Sequence, residues 1–557
     1  MFQSFRHAAT WVHTWFGLVL GFVLVVVFFF GSLSVFDREI DRWAIPESRF
    51  EPQPMPSFDK VLRPVFDTMQ PMKESVDAMR GKVDGPMPER FDTVRSWSAY
   101  TTHRDPVLLL WASYEVPGAQ DPHDRVWGNR TIDPRSGKVF PDDQLKIGSQ
   151  FFYPLHYGLT LEWQDLGAWI VGFAGLVMLV ALISGVVMHR KLFREYFTFR
   201  PTRNIQRSVL DLHNMTGVLA LPFHFFFAFT GLLIFAGHYF PVTHTQLEPL
   251  HELHEKIEEQ QTGLPQDRAG VPAPLASVDA MVAEARRRWT AKGMAGEVGL
   301  VSANHVGDVN GYVSVWRAGT DRIANVSDGI HFKASTGEVL YEEPPLTAVG
   351  SVGNFLIGLH LQHFRHWLLR WFYVLGGLMG TVCLATGLIF FVEKRKKQHA
   401  KAGGQSRRVV DALAVSTITG MLVATMSILV ANRLLPEALP SGWPPRGDME
   451  RYVFWGGWAL AMIHAFVRSA PVAMDRLNPA WHEQCWAVAI MAVAAMLLNW
   501  ITTGDHLLRT IGAGYWPVAG VDLSLLVTAG LAVLSARRLG RKALAAMPVP
   551  RGGTAHA

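Results

Sequence analysis

Histidine is the side chain through which this sequence offers chemistry. There are 22 histidines among 557 residues, against two cysteines, Cys383 and Cys485, which fall in or beside apolar segments. The sequence therefore holds no thiolate metal site and no disulfide framework. The histidines that matter lie in or at the ends of long apolar stretches, where an ionisable side chain is costly and points to function. His13 and His213 stand one turn inside the first and third stretches, His156 and His360 just before the second and fourth, and His189 at the end of the second. His224 follows His213 by 11 residues. In a straight helix that spacing keeps both on one face, roughly 16 Å apart, so a single helix would address two depths. Paired neutral imidazoles from opposing helices inside an aromatic wall are what a b-type haem needs, and such ligation suits iron to electron transfer. The run Phe223-His224-Phe225-Phe226-Phe227 supplies the wall.

Two haems, each held by two histidines at its own level, would carry an electron across a bilayer. Symmetry suggests His13 with His213 on the inside and His156 with His360 on the outside. Depth also allows His189 in place of His13, or His224 in place of one of the outer pair, and the sequence does not choose. Plainer readings stand beside these. A histidine at a helix end also caps carbonyls or snorkels to the interface, and His189 sits beside Arg190 and Lys191. His360, His363 and His366 have the i, i+3, i+6 spacing of a surface zinc or iron(III) site, but no carboxylate accompanies them. His464 reads as a packed polar residue with at most His506 for company. His238, His244, His251 and His254 lie among glutamates, as in a solvated loop.

The elements that must position these rings follow from composition. Hydrophobic residues make up 49% of the chain, with 19 Trp and 34 Phe, which points to lipid as the solvent. A net charge of +5, gathered in a few short loops, is the pattern of membrane topology and argues against a nucleic-acid partner. Stretches long enough to span a bilayer, about 20 residues, occur near 11–36, 166–189, 209–237, 367–392, 409–432, 452–469, 484–503 and 519–536. Eight spans are expected. The first apolar run lacks a small-residue cleavage site and reads as a retained anchor. Connections 190–208 and 393–408 are rich in Lys and Arg, as is the tail around Arg537, Arg538, Arg541 and Lys542. The positive-inside rule then places both termini in the cytoplasm and segments 37–165 and 238–366 outside.

A repeat with an offset near 200 links the halves. His13-Thr-Trp-Phe-Gly17 recurs as His213-Asn-Met-Thr-Gly217, Ser136-Gly137 as Thr336-Gly337, Leu155-His156 as Leu359-His360, and Ser184-Gly185 as Thr386-Gly387. Each unit would be span, outer domain, span, the two forming parallel repeats. Both outer segments open with Pro-rich linkers, around Pro52–Pro56 and Pro265–Pro274. An amphipathic stretch follows in each, Ser57–Met69 and Leu275–Trp289, and then alternating runs at Val107–Tyr114, Tyr312–Trp316 and Arg322–Val326. The fold expected is a mainly α membrane protein with two α+β outer domains. It divides into spans at 1–36, 166–190, 209–237 and 367–392, outer domains at 37–165 and 238–366, and cytoplasmic loops at 191–208 and 393–408. A four-helix bundle at 409–540 and a tail at 541–557 complete it. Charged residues inside the spans look nearly absent, which speaks against a proton-coupled path.

The runs Trp11-Val-His-Thr-Trp-Phe-Gly17, Phe36-Asp-Arg-Glu-Ile40, Leu221-Pro-Phe-His-Phe225 and Gly358-Leu-His360 resemble the PepSY-associated transmembrane proteins, iron-regulated proteins of the bacterial inner membrane. The resemblance covers residues 5–400 and implies that both outer segments are PepSY-like domains. It implies a ferric-siderophore reductase with haem b bound by His13, His156, His213, His224 and His360, and by His189 less securely. Siderophores grip iron(III) with hard oxygen donors and release it on reduction, since iron(II) suits those donors less well. No dinucleotide or flavin fingerprint occurs in the chain, so the donor would be separate, a quinol or a cytoplasmic reductase. Two other readings compete: a non-enzymatic PepSY envelope regulator or assembly factor, and a siderophore or metal transporter.

Overall fold

The computed structural model describes residues 4–545 apart from 84, 102–104, 120–123, 142–143, 189–199, 201–204, 237–252, 254–256, 402–403, 438 and 470–477. The chain forms two compact units. A helical unit takes Met1–Pro46, Leu145–Leu232 and Leu368–Ala557, and a sheet unit takes Glu47–Gln144 and Leu233–Trp367.

Among the described residues, six helices are long and apolar enough to cross a membrane, and a bent pair makes up to seven. This is a multi-pass membrane protein. The expected count of eight changes at two places. The third span is broken into Ile205–Leu219 and Leu221–Ile234, bent by 67°. Pro222 explains the break, because it lacks an amide hydrogen and its ring clashes with the carbonyl one turn back. His213 and His224 therefore lie on different segments, and the single straight face assumed from their spacing does not exist. The sixth expected span is the helix Arg446–Arg468, which is long enough but is diluted by glycine, His464 and charges at both ends.

Charged side chains are also more frequent in the helices than the sequence suggested. Asp211, Arg370, Arg433, Glu450 and Asp522 are all buried. Each has partners, as burial of a charge requires. Asp211 meets Arg200 and Arg207 at 3.3 and 3.1 Å. Arg370 grips Glu39 through two 2.9 Å bonds and donates to the Val35 carbonyl. Glu450 accepts from Asn432 at 2.9 Å. Arg433 donates to the carbonyls of Trp43 and Ala44, and the Trp43 indole donates to Asp522 at 2.8 Å. Trp43 belongs to a short helix, Asp37–Ala44, directly after the first span. Phe30, Trp43, Phe151 and Phe152 share one apolar core with Met421, Ile428, Phe454, Val488 and Val518. The last helices are thus packed against the first span rather than merely appended.

In the sheet unit, seven antiparallel strands run in the order β3-β2-β1-β4-β5-β6-β7. They are β1 Val94–Tyr100, β2 Leu108–Glu115, β3 Arg125–Ile132, β4 Val298–Asn304, β5 Tyr312–Arg317, β6 Gly329–Lys333 and β7 Val339–Glu342. β1 and β4 pair about Ser98 opposite Ser302, so the first strand of each outer segment lies at the centre of the sheet. The run Arg322–Val326, expected as a strand, is loop. Arg317, its side chain fully buried, binds Asp321 and Asp328 and draws the chain into a turn before β6 begins.

The two amphipathic stretches form helices, Phe58–Leu62 continuing as Arg63–Thr68, and Val278–Ala291. Phe58 stacks on Trp97 at 4.2 Å, and Met281, Ala285 and Trp289 pack on the same side of the sheet core with Val301, Val315 and Phe332. Their starts are capped crosswise. Asp279 accepts from the Ser57 hydroxyl and the Phe58 amide at 2.5 and 2.7 Å, while Asp59 accepts from the Ser277 hydroxyl and the Asp279 amide at 2.6 and 3.2 Å. Each aspartate serves the helix of the other half, satisfying donors that every helix start leaves open.

Candidate functional site

His13 and His213 meet in the helical unit. Their ring centres are 6.2 Å apart with the planes at 75°. His13 Nδ1 donates to the Ala181 carbonyl of the second span, Leu166–Met188, at 2.9 Å. His213 Nδ1 donates to the Cys383 carbonyl of the fourth, Trp367–Lys401, at 2.7 Å. A ring nitrogen facing a carbonyl must carry the hydrogen, so in each neutral ring the lone pair falls on Nε2. This is the arrangement a metal-binding histidine adopts when its second nitrogen is tied to the protein.

The surroundings of the two rings follow one plan. Four residues beyond each acceptor carbonyl stands a glycine, Gly185 or Gly387. A Cβ at Gly185 would lie 3.2 Å from His13 Cε1, and one at Gly387 would lie 3.2 Å from both Cε1 and Nδ1 of His213. The residue before each glycine bonds back to the same carbonyl: Ser184 Oγ to Ala181 at 3.1 Å, and Thr386 Oγ1 to Cys383 at 3.0 Å. The sequence pairs Ser184-Gly185 and Thr386-Gly387 are thus one device used twice, in which a carbonyl fixes the imidazole, a hydroxyl shares that carbonyl, and a missing side chain leaves room for the ring.

His156 uses two of its three parts, the carbonyl and the glycine, with Phe30 where the hydroxyl would be. It sits on a separate short helix, Tyr153–Gly158, whose Nδ1 donor reaches the Val27 carbonyl of the first span at 2.8 Å. Gly31, four residues on, clears its ring; a Cβ there would stand 2.6 Å from Nδ1. The chain then reverses through Leu159, Thr160, Gln164 and Asp165, all at positive φ, before the second span starts. Backbone in this sparsely populated region persists only where packing holds it.

His224 follows the same pattern with a looser bond. It is fully buried, its hydrogen-bond partner is the Gly376 backbone, and Gly380, four residues further, clears the ring, since a Cβ there would be 3.1 Å from Nε2. Phe28 packs edge-on at 5.8 Å, and Phe223, Phe227 and Tyr373 form a cluster with one another at 5.5–6.1 Å. Of the expected aromatic wall, Phe223 and Phe227 turn inward, while Phe225 and Phe226 are exposed.

The remaining candidates fall elsewhere. His360 is half-buried near the end of the helix Ala348–Leu361, in the sheet unit. That helix stops at Gln362, which has φ 58°, so His363 and His366 do not continue its register. Among the described residues no three His, Cys, Asp or Glu gather as a metal site. His189, and the group His238, His244, His251 and His254, lie outside the described residues. His464 is a polar packing residue, with Nε2 2.9 Å from Glu483 and Nδ1 3.3 Å from Gln484. Sequence reading missed the acceptors Val27, Ala181 and Cys383, because a carbonyl has no residue-type signature. The repeated Ser-Gly and Thr-Gly pairs were its one visible trace.

Residues 10–394 match the family described as PepSY-associated TM region. The chain belongs to that family. The match takes in His13, His156, His213, His224 and His360, and ends before the last helices of the helical unit. A member-like relative, the uncharacterized protein PA4219 of Pseudomonas aeruginosa, is 26% identical over 399 residues, 68% of this chain and 92% of its own length.

Proposed function

We propose that this PepSY-associated membrane protein is an electron-transfer reductase of the bacterial inner membrane. In this reading it holds two b-type haems through paired histidines and delivers electrons outward to iron(III)-siderophore, releasing iron(II). The observation that carries the reading is the His13/His213 pair. Two imidazoles sharing one metal at ~2 Å per bond have ring centres about 6 Å apart, and these stand at 6.2 Å. Their Nδ1 hydrogens are given to carbonyls of two different helices, which orients both lone-pair nitrogens and stiffens the rings.

The residues present suit haem at a second level too. His224 is a buried ring set against the Gly376 backbone and cleared by Gly380, and Phe28, Phe223, Phe227 and Tyr373 offer flat apolar surface nearby. His156 at Val27, in the same helical unit, is the candidate to complete that level. Bound haem would supply one-electron chemistry at the iron. The chain's own part is to fix the imidazoles, exclude water through its aromatic walls, and hold the two levels within one helical unit. Electrons would come from a separate donor, a quinol or a cytoplasmic reductase, with both termini inside and the sheet unit on the substrate side.

The test is a visible spectrum of protein purified from haem-replete cells. A reduced-minus-oxidised difference of b type is expected, with about two haems per chain. Colourless protein would remove the reductase and leave the envelope regulator or assembly factor as the better account.

A further inference from the structure

We propose that the last helices of the chain position His156: through Trp43, Asp41 and Phe454 they hold the short helix that carries this ring to its carbonyl on the first span. His156 as a haem ligand rests on the reading above, whereas the route that positions it rests on packing alone. The family match ends at residue 394, so it gives no part to the later helices Met421–Leu434, Arg446–Arg468, Ala480–Thr503 and Trp516–Ala545. Every residue of the route lies in the helical unit. It begins at Arg433, near the end of Met421–Leu434. Arg433 Nη2 donates to the carbonyls of Trp43 and Ala44 at 2.5 and 2.6 Å. These are the last two residues of the helix Asp37–Ala44, where carbonyls lack partners inside the helix and a cation is favoured. Asp522, on Trp516–Ala545, takes the other side of the same tryptophan, accepting from its indole at 2.8 Å. Two of the last helices thus fix one short helix by its C-terminal turn.

From that helix the contact passes to His156 in two steps. Asp41 Oδ1 accepts from the amides of Gly148 and Ser149 at 2.8 and 3.2 Å. These are the first open donors of the helical stretch Gly148–Phe152, which continues as Tyr153–Gly158. Gly148 is needed for the approach, since a Cβ there would stand 2.0 Å from the Asp37 carbonyl oxygen. A slide or rotation of the stretch breaks both bonds to Asp41. Its far end brings His156 Nδ1 to the Val27 carbonyl at 2.8 Å. Phe454, on Arg446–Arg468, supplies a second hold. It is fully buried, with its ring centre 4.8 Å from Phe151 and 6.0 Å from Phe30. Phe30 lies between Val27 and Gly31, the carbonyl and the glycine that His156 uses. One ring from the last helices therefore packs on both the short helix and the stretch of span that receives it. An imidazole tied through its second nitrogen keeps its orientation as a ligand, and a site works when its supporting contacts hold the geometry to about 0.5 Å.

The experiment is hydrogen exchange of the purified full-length protein, read over Gly148–Gly158, with a visible spectrum of the same samples. Arg433→Ala should raise exchange there about tenfold, as expected for losing one charge-assisted hydrogen bond, and should turn part of the haem from low to high spin as an axial imidazole is lost. Arg433→Lys, which keeps a donor, should restore most of both. Phe454→Ala should act in the same direction, and Phe454→Leu more mildly. The control is Arg468→Ala, which breaks the pair with Glu483 at the far end of the helix that carries Phe454. It should leave exchange over Gly148–Gly158 and the spin state as in the parent. Equal effects from Arg468→Ala and Arg433→Ala would mean general loosening and overturn the proposal, as would unchanged exchange in both Arg433→Ala and Phe454→Ala. Raised exchange with an unchanged spin state shows packing without positioning and overturns it too. Should Arg433→Ala not accumulate, Phe454→Leu decides on the same two readouts. A colourless parent overturns the haem reading, and the exchange comparison then still judges the route.

Discussion

The first span, Phe5–Ser34, and the third, Ile205–Leu219 with Leu221–Ile234, correspond at an offset of 200, yet one is continuous and the other is bent by 67°. His13 and His213 occupy equivalent places and make equivalent bonds. One turn past the middle the equivalence stops. Phe22 and Leu24 in the first span stand where the third has Pro222 and His224. Leu24 is an ordinary buried leucine in an apolar cluster, whereas His224 is a buried ring aimed from a segment with its own direction. The two spans share one histidine station, and only the third carries a second, just beyond its proline.

That contrast can be broken experimentally, and the largest effect is expected at the shared station. His13→Ala and His213→Ala should each lose about half of the bound haem, to equal extents, as read by pyridine haemochrome; unequal losses would mean that the two rings do not share a site. Next in size, Pro222→Ala should partly straighten the third span and re-aim His224. Haem should fall toward one per chain with the His213 component intact, and a variant retaining both would show that the bend is incidental. The converse change, Phe22→Pro, inserts a breaker costing about 3 kcal/mol or more in a helix interior, and should lower thermal stability in detergent well beyond Pro222→Ala.

In the sheet unit the two halves match more evenly, and the crosswise caps test that match. Asp59→Ala and Asp279→Ala should each cost about 1–2 kcal/mol, measured by hydrogen exchange over Val278–Ala291 and Phe58–Leu62 respectively. Costs differing by more than the cap itself is worth would show that the halves are not equivalent. The smallest effect concerns pH. Burial holds the imidazoles of His305 and His331 below their usual value near 6.5. Below pH 6.5 the unfolded chain therefore takes up protons that the folded sheet refuses. Stability should drop as pH falls from 6.5 toward the depressed values and level off there, by up to about 1.4 kcal/mol per pH unit for each ring. His331→Gln should flatten that slope, and an unchanged slope would remove His331 from the explanation.

Much of the architecture was readable because the physics is local. Apolar runs of membrane length and amphipathic stretches announce themselves by residue type, and helices form within Ser57–Met69 and Leu275–Trp289 as expected. What was not readable depends on direction. A count of 11 residues between His213 and His224 implied one face only while the helix was taken as straight, and Pro222 decided otherwise. Arg322–Val326 alternates like a strand but is held as a loop by the buried Arg317 ion pairs. Asp522 lies inside the expected 519–536 span and Arg433 just past the 409–432 span, and only packing showed that they clasp Trp43. The histidines themselves could be named from sequence, but the carbonyls that orient them could not.

The crosswise caps carry a consequence for biosynthesis. Asp59 must wait for an amide 220 positions later in the chain, and β1 has its central edge open until β4 arrives. At a synthesis rate of ~5–20 residues per second, the first half of the sheet waits roughly 10–45 s with an unpaired strand edge, a template for unwanted pairing. During that interval two intervening spans must also enter the bilayer. A nascent chain stalled between residues 150 and 290 should therefore be the form most dependent on chaperones and most sensitive to proteases.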